Sequence, residues 1–261
     1  MQILCRVSSD INQNEELSHE FYRIKKRIGD IADFPITIGE FPKIFQFSKS
    51  ELNQDLFALL IKNFQYHGFF VEIGTGNGIK ASNSYLLEKG YFWRGILVEP
   101  AKVFHANISK TRNAILVTKL ISNDSGQEMR FFERDEATLS SVIRPYGSSK
   151  YKEYWVETIN LNDCLKQNLA PRYIDYLSLD VEGYELSILE TFNFSEYMIS
   201  FISVEHNYTS NREKIYELLL SNNYIRVRSD ISRYDDFYVH RDVVLKCEKN
   251  IQDYLLFSGT N

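Results

Sequence analysis

Apolar residues along the chain follow two alternating patterns. Short apolar runs such as Phe69-Phe70-Val71-Glu72-Ile73 alternate with longer stretches in which apolar residues recur every three or four positions. The first pattern predicts strands buried on both faces, the second amphipathic helices. Strands are expected at 69–73, 94–100, 114–121, 129–133, 155–159, 173–180, 199–204, 224–228 and 237–240. Helices are expected at 50–67, 80–89 (with Gly90 as its stop), 101–112, 160–169, 184–191, 212–222 and 243–257. Residues 134–154 show no period and read as a long loop over the site. Strands alternating with helices predict a doubly wound, largely parallel α/β sheet, and the short connection between the last two strands predicts one antiparallel member. Ahead of this core, Leu17, Phe21, Ile24 and Ile28 predict a leader helix, followed by Pro35 and Pro42. The chain thus divides into a leader (1–45), a main domain (46–241) and a helical tail (242–261).

Composition narrows the class. With 44% hydrophobic and 25% charged residues among 261, a sizeable core is expected and disorder is not. The 17 Tyr and 18 Phe suit a large aromatic core. A net charge of −5 argues against broad nucleic-acid binding. Cys5, Cys164 and Cys247 are too dispersed for a metal site or a disulfide framework, which fits a reducing, cytoplasmic compartment. No stretch is apolar enough to span a bilayer, and the leader is a candidate homodimer contact.

Candidate chemistry gathers at the strand ends, where open α/β sheets bind ligands. Glu72, Glu99, Ser122, Asp180, Glu205 and His206 all end predicted strands. After the first strand come Gly74, Gly76 and Gly78, with Ile79 where a dinucleotide fingerprint needs its last glycine. That spacing disfavours a pyrophosphate, and no Gly-Lys-Ser/Thr follows to make a phosphate loop. Glu72 before the turn suits a positively charged group. Glu99 can accept hydrogen bonds from both hydroxyls of an unphosphorylated ribose. S-adenosylmethionine meets both conditions.

Several segments, in order, resemble the FkbM-type methyltransferases. Ser50-Glu51-Leu52-Asn53-Gln54-Asp55 is similar to the opening S-Q-x-x-x-D helix, with Glu51 in place of the usual Gln. Gly68–Gly74 with Ser82-Asn83-Ser84 resembles G-F-F-V-E-I-G…S-N-T, and Trp93–Pro100 resembles W-x-G-I-L-x-E-P. Ile174–Glu185 resembles the most specific signature, I-D-x-L-x-L-D-V-E-G-x-E, and Asp235–Val239 resembles the terminal strand. The resemblance implies a class I, Rossmann-like methyltransferase fold, with a seven-stranded sheet in the order 3-2-1-4-5-7-6 and strand 7 antiparallel. It implies O-methylation of sugar or polyketide-type hydroxyls.

On this reading Asp55, Glu72, Gly74, Gly76, Glu99 and Ser122 hold the cofactor, with Asp55 carried over from the opening-helix motif. Methyl transfer to a weakly acidic hydroxyl calls for a base. His206 at the rim is the first candidate, Asp180 the second, and Glu182 orients a partner or binds acceptor hydroxyls. Asp180, Glu182, Glu205 and His206 could also hold a divalent metal, the lesser alternative. Two rival functions stand beside sugar methylation in glycan or natural-product assembly. One is carboxyl or peptide methylation, which needs less base assistance; the other is cofactor binding without catalysis.

Overall fold

The computed structural model describes residues 48–134, 140–144 and 150–256. The predicted leader helix and the homodimer contact assigned to it lie outside them.

The first strand, β1 (Phe69–Ile73), is an interior strand of a seven-stranded sheet, third from one edge. On one side it pairs in parallel with β2 (Arg94–Val98), and β2 with β3 (Ile115–Val117). On the other it pairs with β7 (Tyr173–Leu179), and β7 with β8 (Met198–Glu205). The last strand, β10 (Asp235–His240), inserts antiparallel between β8 and β9 (Tyr224–Val227). The order is β3-β2-β1-β7-β8-β10-β9. Its chain numbering departs from the expected 3-2-1-4-5-7-6, because three strands intervene after β3. These are β4 (Leu120–Ile121), β5 (Glu128–Arg134) and β6 (Tyr151–Ile159), which form a small sheet of their own in the order β4-β6-β5.

Helices cover both faces, so the central strands carry apolar residues on each side. α1 (Gln54–Ile61) is buried along its whole length. Its Phe57 packs on Phe201 of β8 and Phe237 of β10, with ring centroids 6.0 and 4.8 Å apart. Ser50 caps this helix from outside, its Oγ accepting from Gln54 N at 2.8 Å. The other helices are α2 (Tyr85–Tyr91), α3 (Lys102–Thr111), α4 (Leu161–Gln167), α5 (Glu185–Glu190), α6 (Asn211–Ser221), α7 (Arg241–Val244) and α8 (Lys249–Leu255). Ile188, Leu189, Ile215 and Leu219 of α5 and α6 join Val71, Ile73 and Leu177 in the main core.

Four expectations change. The strand predicted over 114–121 breaks at Thr118-Lys119; β3 stays in the large sheet while β4 joins β6. Gly90 lies inside α2, and the helix ends instead at Phe92, whose φ of 57° lets Trp93 N bond back to Leu87 O. Residues 151–154, read as loop, pair with β5 in full register. The tail is two short helices, separated by a turn in which Lys246 N bonds to Val243 O. No helix among the described residues is long and apolar enough to cross a membrane.

Candidate active site

Parallel strands end on the same edge, so the acids that close β1, β2 and β7 arrive together. They line one cleft of about 950 Å³ including its mouth, with Glu72, Gly74, Gly76, Glu99, Asp180 and Glu182 in its walls. Val98, Ile121, Phe131 and Val142 give it an apolar side. Ser140, Ser141 and Val142 bring part of the predicted 134–154 loop into the wall.

The glycine turn is built by close approach. Gly74 has φ 83°, and a Cβ there would lie 1.7 Å from the carbonyl oxygen of Asp180. Two backbone bonds hold this crossing, Gly74 N to Val98 O at 3.0 Å and Asp180 N to Ile73 O at 3.1 Å. Gly76 follows with φ 55° and donates its N–H to Glu99 Oε2 at 2.7 Å. Glu99 Oε1 accepts from Ala101 N at 2.8 Å. Glu99 therefore ties the turn to the start of α3 and keeps further lone pairs for a ligand.

Glu72 is engaged differently from the expectation. Its Oε1 accepts from Asn83 N at 2.7 Å, and its Oε2 accepts from Ser82 Oγ at 3.0 Å and from Ser84 Oγ. Three protein donors occupy it, so it acts as a staple for the loop after the glycine turn, not as an open acceptor for a ligand cation. Arg112, fully buried, clamps the same loop from the side. It donates to Gly78 O at 2.8 Å, Ser82 Oγ at 3.1 Å, Ser84 Oγ at 2.8 Å and Glu88 Oε2 at 3.0 Å. A buried guanidinium with this many acceptors is satisfied, and removing a partner would leave an uncompensated charge. No sequence pattern flagged Arg112; the resemblance pointed only to Ser82-Asn83-Ser84.

Three other predicted site residues fall outside the cleft wall. His206 is buried, with Nδ1 accepting from Tyr208 N at 2.9 Å and Nε2 facing Asp235 O at 3.0 Å. These partners assign the neutral tautomer with its proton on Nε2. Burial lowers its pKa from 6.5, against the pull of Asp236. With both nitrogens committed, His206 shapes the end of β8 and has no lone pair left to act as a base. Asp55 is fully buried in α1, where its Oδ1 accepts from Ser48 Oγ at 3.1 Å and Leu56 N at 2.8 Å. It anchors the segment before α1. Ser122 turns its Oγ towards Met129 Sδ at 3.7 Å, while Leu120 and Ile121 line the cleft.

The acids at the far side do converge. Carboxylate oxygens of Asp180, Glu182 and Glu205 lie within 4.8 Å of one another, a spacing that suits a shared proton or a metal ion. His206, the fourth member of the predicted metal set, is not in the cluster. Glu182 is held at φ 56°, uncommon for a side chain of its size, and Gly183 follows at φ 110°. Glu185 secures this bend by accepting from Val181 N and Gly183 N at 3.0 and 3.1 Å. Asp235, opposite Glu205 on β10, is fixed by Gln54 Nε2 at 2.8 Å.

Crowding of buried acids raises their pKa values. Burial, then Glu205, pushes Asp180 well up, and burial raises Glu205 as well. Burial, reinforced by Glu205, lifts Glu182 to about 7 and Asp235 to about 7. Burial lifts Glu99 from 4.5 to about 8, opposed by its two backbone donors. Between their ordinary values and these raised ones, the folded chain binds more protons than the unfolded chain. The stability these three acids contribute is therefore fully present at low pH and is lost as pH rises through about 7 to 8. The ligand-free protein is expected to melt lower at pH ~8.5 than at pH ~5.5, by on the order of 5 °C. A melting temperature that is flat or rising over that window would show that these acids titrate normally.

Comparison with known proteins points the same way. Residues 72–241 match the methyltransferase FkbM domain. No curated protein matches the chain. Among solved structures, the precorrin-6y C5,15-methyltransferase of Geobacter metallireducens GS-15 aligns at 12% identity and TM-score 0.39, over 74% of this chain and 92% of that one. TrmK of M. capricolum, in complex with S-adenosyl-homocysteine, aligns at 13% identity and TM-score 0.38, over 74% and 67%. These TM-scores are too low to carry weight, and the assignment rests on the domain match. That match covers most of the chain, and the protein belongs to the FkbM family of methyltransferases, which implies S-adenosylmethionine as its methyl donor.

Proposed function

We propose that the protein is an O-methyltransferase that methylates a hydroxyl of a sugar in surface-glycan or natural-product assembly. The observation that carries this reading is the carboxylate group of Asp180, Glu182 and Glu205 beside the donor cleft. Carboxylates accept hydrogen bonds from hydroxyl donors, and a half-buried acid with a raised pKa is a fitting acceptor for a hydroxyl proton. The same group repels an anionic acceptor, which disfavours carboxyl methylation.

The residues fit the donor. The glycine turn lets a ligand approach backbone, Glu99 offers free lone pairs to a ribose diol, and the Val98–Phe131 side suits an adenine face. When bound, the donor supplies an electrophilic methyl group. The chain's part is to hold the acceptor oxygen in line and to remove its proton. In this reading Asp180 takes the proton, Glu205 tunes it, and Glu182 binds a neighbouring hydroxyl.

Labelled-methyl transfer to a panel of nucleotide sugars, with carboxylate and amine acceptors alongside, tests the reading. Label in a sugar as an alkali-stable ether is the expected result. Label confined to base-labile esters, or to nitrogen, would overturn it. A chelator arm separates the two uses of the acids. Transfer that survives chelation leaves them as hydrogen-bond and proton acceptors, and loss restored by magnesium or manganese would make them metal ligands.

A further inference from the structure

Two buried polar atoms in the cleft wall have no partner in the protein. Asn83 is 9% exposed; its Nδ2 donates to Ser178 Oγ at 3.0 Å, and its Oδ1 makes no hydrogen bond. Thr75 is 3% exposed, and its Oγ1 makes none either. Both line the cleft beside Gly74 and Gly76. Buried polar groups are nearly always paired, so two orphans on one wall mark where a ligand's polar atoms go. Glu72, the acid otherwise best placed for a positive group, is occupied by Ser82, Asn83 N and Ser84.

We propose that Asn83 and Thr75 hold the amino-acid end of the methyl donor. Asn83 Oδ1 accepts from the donor's ammonium, and the Thr75 hydroxyl donates to its carboxylate. The division follows from the chemistry. A zwitterion needs one acceptor and one donor, and the neutral amide and hydroxyl supply them without adding charge. Ser178 fixes which way the Asn83 amide points, and Glu72 fixes where the Asn83 backbone sits. Glu72 thus acts through Asn83, as a positioning residue. This inference rests on the donor assignment of the previous section and goes further by naming the side chains that read the donor's tail.

The test compares two ligands by calorimetry. S-adenosylhomocysteine carries the amino-acid end; 5′-methylthioadenosine keeps the adenosyl thioether and lacks it. Asn83→Ala and Thr75→Val are each expected to lose about tenfold or more in affinity for the first ligand, with the second bound as by the wild type. Asn83→Asp, which keeps an acceptor, is expected to retain binding of the first ligand within about threefold. Melting temperatures identify any variant that fails to fold, and Asn83→Asp and Thr75→Val then decide the question. Equal losses for both ligands, or no loss for either, would overturn the assignment. Wild-type protein that binds neither ligand would overturn the donor reading itself, and this proposal with it.

Discussion

Gly74→Ala is expected to cost the protein on the order of 3 kcal/mol or more of stability and to abolish donor binding in whatever fraction folds. The cause is local and geometric. The new methyl would lie 1.7 Å from the Asp180 carbonyl oxygen and 2.9 Å from its carbon. Those atoms are backbone, held by the bonds between Asp180 N and Ile73 O and between Gly74 N and Val98 O, so they cannot swing aside as a long side chain could. The φ of 83° adds strain of its own, about 1–2 kcal/mol for an L side chain. Gly126→Ala separates the two contributions, because Gly126 has φ 76° with nothing within 4 Å of a built Cβ. It should show the strain alone. Urea unfolding of both variants, followed by titration with S-adenosylhomocysteine, checks the pair. Wild-type midpoints and affinity in Gly74→Ala would mean that the β1–β7 crossing is not what shapes the turn.

Asp180→Asn is expected to lower turnover by about a hundredfold or more while leaving donor affinity close to wild type. Asparagine keeps the shape and cannot accept the acceptor's proton. The variant also removes a charge from a crowded acid cluster, in which Glu205, Asp235 and Glu182 all push the Asp180 pKa up. The folded variant should then be at least as stable as the wild type above neutral pH, so low turnover cannot be blamed on unfolding. Single-turnover kinetics with labelled donor, together with a melting curve at pH ~8, measure both. Wild-type turnover would remove Asp180 from the proton transfer. His206→Ala, by contrast, touches a side chain whose two nitrogens are already spent on Tyr208 and Asp235.

Backbone periodicity carried the fold. Apolar runs located the seven strands of the large sheet, and the glycine turn with Glu99 located the cleft. Boundaries were weaker where tertiary pairing decides them. Nothing local announces that Thr118-Lys119 ends one sheet and leads into another, or that Tyr151–Tyr154 would find a partner in β5. Strand-end position places Asp180 and Glu99 in the cleft wall, and the turn after β7 places Glu182 beside them. It failed for His206, whose nitrogens meet Tyr208 N and Asp235 O, and for Ser122, whose hydroxyl turns to Met129, because position in the chain does not fix which neighbours a side chain finds. The opening-helix motif nominated Asp55, but a motif position does not say which way a buried helix turns its side chain. Thr75 and Arg112 were missed for the converse reason. Their importance lies in partners, absent for one and numerous for the other, that only the folded chain supplies.

The sheet order has a consequence for how the molecule assembles. Gln54 on α1 grips Asp235 on β10 across 181 residues of sequence, and Phe57 packs on Phe237 nearby. β10 itself fills a slot between β8 and β9 that can close only after β9 exists. The wall of the cleft behind Glu205 is thus one of the last parts to form. On a ribosome the glycine turn and Glu99, from β1 to α3, can emerge and organise early, while the acid cluster of Asp180, Glu182 and Glu205 waits for nearly the whole chain. Contacts that span so much sequence fold slowly. A chain halted before residue 235 would therefore expose the edge of β8 as an unpaired strand, a natural target for chaperones and for self-association.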